Sequence, residues 1–244
     1  MKAFLLVAVY MVFYHVSFSQ NVSRQDLNAF SESFRMEKNR NKTVDPAYRG
    51  IEGSPYLNEE FTAGEVTLDD SIHFEKVPLR YNIYTGKMES LNKEVVIELE
   101  LANRAYTFQF GGSLFTGLQY VAGDRENYGI LELIADGTAR LYKKLQIILK
   151  PSTKASGYSK AEPDRFVRLD DEYLIAIGQG QPELFRNASE LIEKLESHKP
   201  GIQQYAKSKK LKLKSEKGLI QLVQYYNETN MLRDNANTNG NNFQ

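Results

Sequence analysis

Six lysines crowd into the eleven residues 207 to 217, with a single glutamate among them, giving a local charge of +5. A cation density of this kind can steer an anionic partner such as lipid headgroups, a polysaccharide or an acidic protein. Lys207, Lys209, Lys210, Lys212 and Lys214 are therefore the candidate partner-binding residues. The same stretch alternates Leu211 and Leu213 with Lys210, Lys212 and Lys214. That is also the pattern of an inter-helix segment that buries two leucines and solvates its lysines.

The remaining chemistry-bearing residues form no recognised constellation. His73 and His198 are far apart, outside any H-E-x-x-H spacing. No G-x-S-x-G elbow and no D-x-[DN]-x-[DN]-G calcium loop is present. The adjacent carboxylates Glu59-Glu60, Asp69-Asp70 and Asp170-Asp171 read as solvated turn residues, because neighbours on a strand point to opposite faces. Gly111-Gly112 and Gly178-Gln179-Gly180 lack the context of a phosphate cradle and read as bends. Cysteine is absent, which removes disulfides, thiolate nucleophiles and Cys-ligated metals. The expectation is thus no catalytic, metal-ligating or cofactor-binding residue and no cofactor. Tyrosine is the other bias, with 15 copies and no tryptophan. Tyr81, Tyr84, Tyr106, Tyr120 and Tyr128 are candidates to line a ligand surface, although strands favour tyrosine in any case.

The 244 residues carry 31 basic and 31 acidic side chains, which argues against a nucleic-acid partner. Hydrophobic residues are 41% and charged residues 25%, an ordinary globular balance. At the N-terminus, Lys2, the apolar run from Ala3 to Val16 and the small residues Ser17 and Ser19 have the form of a cleaved signal peptide. Cleavage after Ser19 leaves a chain beginning at Gln20 with no transmembrane span. The expected location is the periplasm or the extracellular face, and without cysteine the protein is not a lipoprotein. A cysteine-free exported chain of this size suits a bacterial envelope.

The elements that must position any site follow from periodicity. Residues 20 to 54 read as a short helix, with Leu27, Phe30 and Phe34 on its apolar face, and a connector. Residues 55 to 180 alternate with period two and read as eight to ten antiparallel strands. Val77, Leu79, Tyr81 and Ile83 share one strand face while Arg80, Asn82 and Tyr84 take the other. Similar strands run through Val95 to Leu101, Tyr106 to Phe110 and Leu141 to Leu149, and a hairpin is expected across Asp170-Asp171 between 165–169 and 172–178. Residues 181 to 229 read as three helices. Asn187 and Glu190 cap the first, Pro200 sits in the first turn of the second and Ser215 caps the third. From 230 to 244 an Asn-rich tail is expected to be disordered. The fold class is mainly β, an antiparallel sandwich or partly closed barrel followed by a small helical segment packed on it.

The blocks SPYLNEEFTAGEVTL (54–68), VPLRYNIYTGKME (77–89), DRFVRLDDEYLIAIG (164–178) and KKLKLKSEKGLIQLVQYYN (209–227) resemble an uncharacterised family of exported β-rich proteins of Bacteroidota. The resemblance implies an envelope protein and carries over no site residue. The expected function is a non-enzymatic binding or structural adaptor of the envelope, its partner an envelope protein or an anionic surface. The alternative is a carrier of a small apolar or glycan ligand inside a β-barrel. A carrier needs an unfilled cavity; an adaptor fills its core and exposes a contiguous aromatic patch.

Overall fold

The computed structural model describes residues 37–41, 48–69, 71–92, 95–99, 105–155 and 160–240, with side chains described within 48–229. The signal sequence, the helix expected around Leu27 to Phe34, Asp70 and Leu101 lie outside the described residues.

Thirteen strands are present among the described residues, eleven of them within 55–180 where eight to ten were expected, one (Glu37–Asn41) in the expected connector and one (Glu183–Phe185) in the expected helical segment. An eleven-stranded sheet runs in the order β1 (Glu37–Asn41), β5 (Val95–Glu98), β4 (Lys87–Asn92), β3 (Ile72–Asn82), β2 (Thr62–Leu68), β6 (Tyr106–Phe110), β7 (Ser113–Ala122), β13 (Glu183–Phe185), β12 (Glu172–Ile177), β9 (Ala139–Lys144) and β8 (Arg125–Ala135). Because β8 also pairs with β7, the last five strands close into a barrel. Closure removes both edges of that half of the sheet. The mainly β, barrel-plus-helices architecture expected from the pattern is therefore the one found, with a parallel contact where Glu183 of β13 meets Val121 of β7.

Among the described residues three cores account for the burial. The barrel interior is filled by Tyr120, Leu131, Tyr142, Leu174 and Ala176, with Leu118, Ala122, Leu133 and Leu184 packed against them. On its outside, Leu141, Ile175 and Phe185 meet the helices α1 (Ala188–His198), α2 (Ile202–Ser208) and α3 (Glu216–Gly240). β9 and β12 are thus covered on both faces. The third core, with Leu79, Phe74, Met88, Phe108 and Phe115 at its centre, lies on the β2–β6 sheet.

The helices form as their caps indicate. Asn187 Oδ1 accepts from Glu190 N at 3.1 Å, and Leu191 and Leu195 are buried on the stripe that ends at His198. Ser215 Oγ accepts from Gly218 N, and Leu219, Leu222, Val223 and Tyr226 are all buried. Asn227 fastens α3 to the β8–β9 turn through Ala139 N at 2.7 Å, Ala139 O at 2.9 Å and Asp136 O at 3.0 Å.

Four expectations are corrected. The run from Leu141 to Leu149 is two strands, β9 and β10 (Ile147–Lys150), because Leu141 turns to the helices while Leu145 and Ile147 join the other core. The hairpin across Asp170-Asp171 does not form: β11 (Arg165–Arg168) pairs with β10 and β12 with β9, so both segments lie along the same preceding run. Gln146 makes the joint between them, its carbonyl accepting from Leu169 N at 3.0 Å. Pro200 precedes the second helix, whose N-cap is Gly201. The helical backbone of α3 continues through Gly240 instead of ending before Asn230, since extending a nucleated helix costs far less than starting one.

Candidate functional site

The polar face of β3 is covered by a side-chain-rich segment that the alternation did not foretell. Leu57 N donates to Tyr81 O at 2.9 Å and Ile83 N to Pro55 O at 2.9 Å, so residues 55–57 lie along β3. Upstream, Glu52 N donates to Asp164 O and Phe166 N to Glu52 O, tying the same segment to β11. Gly53 between these two attachments has φ +78° and passes so close to Phe166 that a Cβ would stand 2.9 Å from its carbonyl oxygen. Only glycine meets both demands without strain.

Beneath this strap Arg80 is 2% exposed and Glu89 on the adjoining strand 3%. Arg80 Nη2 donates to Glu89 Oε2 at 2.6 Å and Nε to the same oxygen at 3.0 Å, while Nη1 donates to the Glu59 carbonyl at 3.1 Å. Its guanidinium carbon lies 3.9 Å from the Tyr56 ring centre and 4.3 Å from that of Phe61, a stacked cation with its charge matched. Asn82 donates to Glu89 Oε1 at 3.3 Å and to the Tyr48 hydroxyl at 3.2 Å.

Over this floor sit Tyr48, Tyr56, Tyr84 and Phe166. Tyr48 meets the other three edge-on, with ring centres 5.2 to 6.3 Å apart, and Tyr84 meets Phe166 at 5.1 Å. Tyr48, Tyr56 and Phe166 line, with Ile51, Pro55, Arg80 and the exposed Glu59 and Glu60, a cavity of about 230 Å³. Tyr84, packed on Tyr48 and Phe166 outside the cavity, is 40% exposed. Aromatic rings on a rigid frame with a few fixed polar groups have the make-up of a recognition pocket.

The tyrosines singled out in the sequence do not assemble into one surface. Tyr81, Tyr106 and Tyr120 are buried in two separate cores and Tyr128 is exposed on β8, so none of the five lines the pocket, and Tyr84 alone touches two of its walls, Tyr48 and Phe166. Tyr48 was missed because it lies in the connector, and Tyr56 and Phe166 because no local pattern tells that their segments are brought together beside β3. The pairing of Arg80 with Glu89 across β3 and β4 was the available clue.

The five candidate lysines Lys207, Lys209, Lys210, Lys212 and Lys214 are all exposed, at the end of α2 and in the loop before α3. None of them has a carboxylate partner among the described residues. Leu211 and Leu213 pack against the helix core, so the loop buries its leucines and solvates its lysines as the alternation indicated. Gly218 holds it in place. A Cβ there would meet the Lys212 carbonyl oxygen at 2.2 Å, so α3 can lie this close only with glycine.

Other polar clusters are committed to structure. Lys143 bridges Glu132 at 2.8 Å and Glu216 at 3.0 Å, Ser113 Oγ donates to Glu132 at 2.6 Å and Tyr173 to Glu216 at 3.3 Å, bolting the start of α3 to the barrel. Burial works against the Lys143 charge, but the two carboxylates outweigh it and hold the ammonium above its ordinary range. Burial foremost, with the Glu216 charge, pushes Tyr173 up to about 12. His73 Nδ1 lies 3.1 Å from Thr67 Oγ1, and His198 Nδ1 lies 3.0 Å from the Lys194 carbonyl oxygen. Among the described residues no group of three His, Asp or Glu is placed to hold a metal, and no helix is long and apolar enough to cross a membrane.

In comparisons with known proteins the chain matches no family model, no curated protein and no solved structure.

Proposed function

We propose that this chain is an exported, non-enzymatic binding or adaptor protein of a bacterial envelope, of the Bacteroidota type that its sequence blocks resemble. Its recognition site is the aromatic pocket above Arg80. The observation that carries this reading is the contiguous group of Tyr56 on the strap, Phe166 on β11, half-buried Tyr48 and exposed Tyr84, which reaches the surface beside the cavity. Exposed aromatic patches on rigid frames are where partners anchor. The filled barrel interior favours surface recognition over an enclosed ligand. Export rests on the N-terminal run ending at Ser19.

The lysine segment supports a second contact, with an anionic envelope surface, because five exposed lysines without carboxylate partners among the described residues stand at the end of α2 and on the loop fixed by Gly218. Native mass spectrometry of the protein drawn gently from its own envelope tests both contacts. The expected species is a chain beginning at Gln20 in a defined complex that Tyr48→Ala dissolves. Replacement of Lys209, Lys210, Lys212 and Lys214 by glutamine leaves folding intact and weakens envelope association. A bare chain, or one with a stoichiometric small-molecule adduct, contradicts the adaptor reading.

A further inference from the structure

The pocket carries unbalanced negative charge at its mouth. Arg80 in the floor is neutralised by Glu89, whereas Glu59 and Glu60 stand exposed at the rim, and neither carboxylate forms an ion pair among the described residues. The walls are the rings of Tyr48, Tyr56 and Phe166, whose π faces attract cations. Size narrows the occupant further. A cavity of about 230 Å³ holds roughly seven or eight waters at about 30 Å³ each, and it falls below the roughly 300–1,000 Å³ of pockets that take whole small molecules. One long side chain fits that space.

Resting on the reading of this pocket as the recognition site, we propose that it takes the cationic side chain of a partner polypeptide, a lysine or an arginine. The methylene stem lies against the rings and the head group meets the Glu59 and Glu60 carboxylates. The chemistry selects against the other classes. An anionic group would face two carboxylates, and a neutral sugar would leave their charge unanswered.

The test is a titration of the full chain, followed by NMR, with four short peptides of the form acetyl-Gly-X-Gly-amide, where X is arginine, lysine, norleucine or glutamate. Norleucine keeps the stem of lysine and drops the charge. The arginine and lysine peptides are expected to shift the signals of Tyr48, Ser54 and Phe166, the glutamate peptide to leave them in place, and the norleucine peptide to bind severalfold more weakly than lysine. The double variant Glu59→Gln/Glu60→Gln, at two exposed positions, is expected to weaken the cationic peptides at least about threefold and to leave norleucine unchanged. Added salt is expected to mimic the variant. Equal binding of norleucine and lysine, or no effect of the double variant, overturns the proposal. So does methyl glucoside reproducing the shifts in place of the cationic peptides, or self-association through the pocket that the lysine-loop variant abolishes. If the envelope complex survives Glu59→Gln/Glu60→Gln but is lost with Tyr48→Ala, the cationic occupant fails while the recognition site stands.

Discussion

Glu89→Gln is expected to destabilise the protein by about 3 kcal/mol, the lower end of the ~3–5 kcal/mol lost when one member of a buried ion pair is removed. Glu89 is 3% exposed, and Arg80, which reaches it with two hydrogen bonds, is 2% exposed, so solvent does not screen the charge left behind. Glutamine keeps an acceptor oxygen and removes only the charge, which sets the estimate low in that range. For a chain of this size about 3 kcal/mol corresponds to a fall of roughly 6–12 °C in melting temperature. The exposed pair Lys150–Glu162, with side chains 44% and 46% exposed, supplies the control, and Lys150→Ala is expected to cost no more than about 1 kcal/mol. The paired replacement Arg80→Met/Glu89→Leu is expected to be more stable than Glu89→Gln alone, because no uncompensated charge remains. Urea denaturation of the wild type and the three variants measures all of these. A cost for Glu89→Gln no larger than the Lys150→Ala control, or a double variant less stable than the single, would refute the claim that the pocket floor is a dry, charge-matched pair.

Three further outcomes follow from the packing. Gly218→Ala is expected to cost about 1–3 kcal/mol, the range for forcing extra atoms into a packed site, since the obstacle is the Lys212 backbone at 2.2 Å; faster hydrogen exchange across residues 209–215 checks it. Asn227→Ala strands the buried groups of Ala139 and is expected to cost at least about 2 kcal/mol, at ~1–3 kcal/mol per unpartnered buried group, read by the same denaturation assay. Hydrogen bonds from Gly201 N and Gln203 N hold the Glu196 carboxyl below its ordinary value near 4.5. A lowered folded-state pKa gives stability that is present above about pH 4.5 and lost as the pH falls through the folded value. The stability of the wild type relative to Glu196→Gln is therefore expected to decline over that acid interval, and a difference independent of pH between 3 and 6, pH values set about that folded transition, contradicts the capping role.

The parts of the fold legible in the sequence were those whose signal is local. Asn187 with Glu190 and Ser215 ahead of Leu219 mark helix starts by side-chain chemistry that acts within one turn. Val77, Leu79 and Tyr81 mark the core face of β3 by alternation alone. What depends on distant partners was hidden. Arg80 and Asn82 read only as the face of β3 opposite Leu79 and Tyr81; the strap at 55–57 buries both, and nothing in the local pattern of a polar alternate position tells a covered face from a solvated one. Barrel closure rests on the three residues Glu183–Phe185, too short to show a period. Asp170-Asp171 looked like a hairpin tip because turn residues sit equally well at a joint where a strand changes partner. The lysine loop was legible as a loop, since the leucine–lysine alternation reports burial directly, while its electrostatic role is a matter of what meets it.

Photo-crosslinking from the exposed aromatic ring beside the pocket, in the native envelope, tests the central claim most directly. A benzophenone amino acid at Tyr84, 40% exposed beside Phe166, is compared with the same group at Tyr128, 43% exposed on β8. The account predicts one discrete protein adduct from position 84, absent from position 128 and abolished by Tyr48→Ala. No adduct from position 84, or the same adducts from both positions, would contradict it.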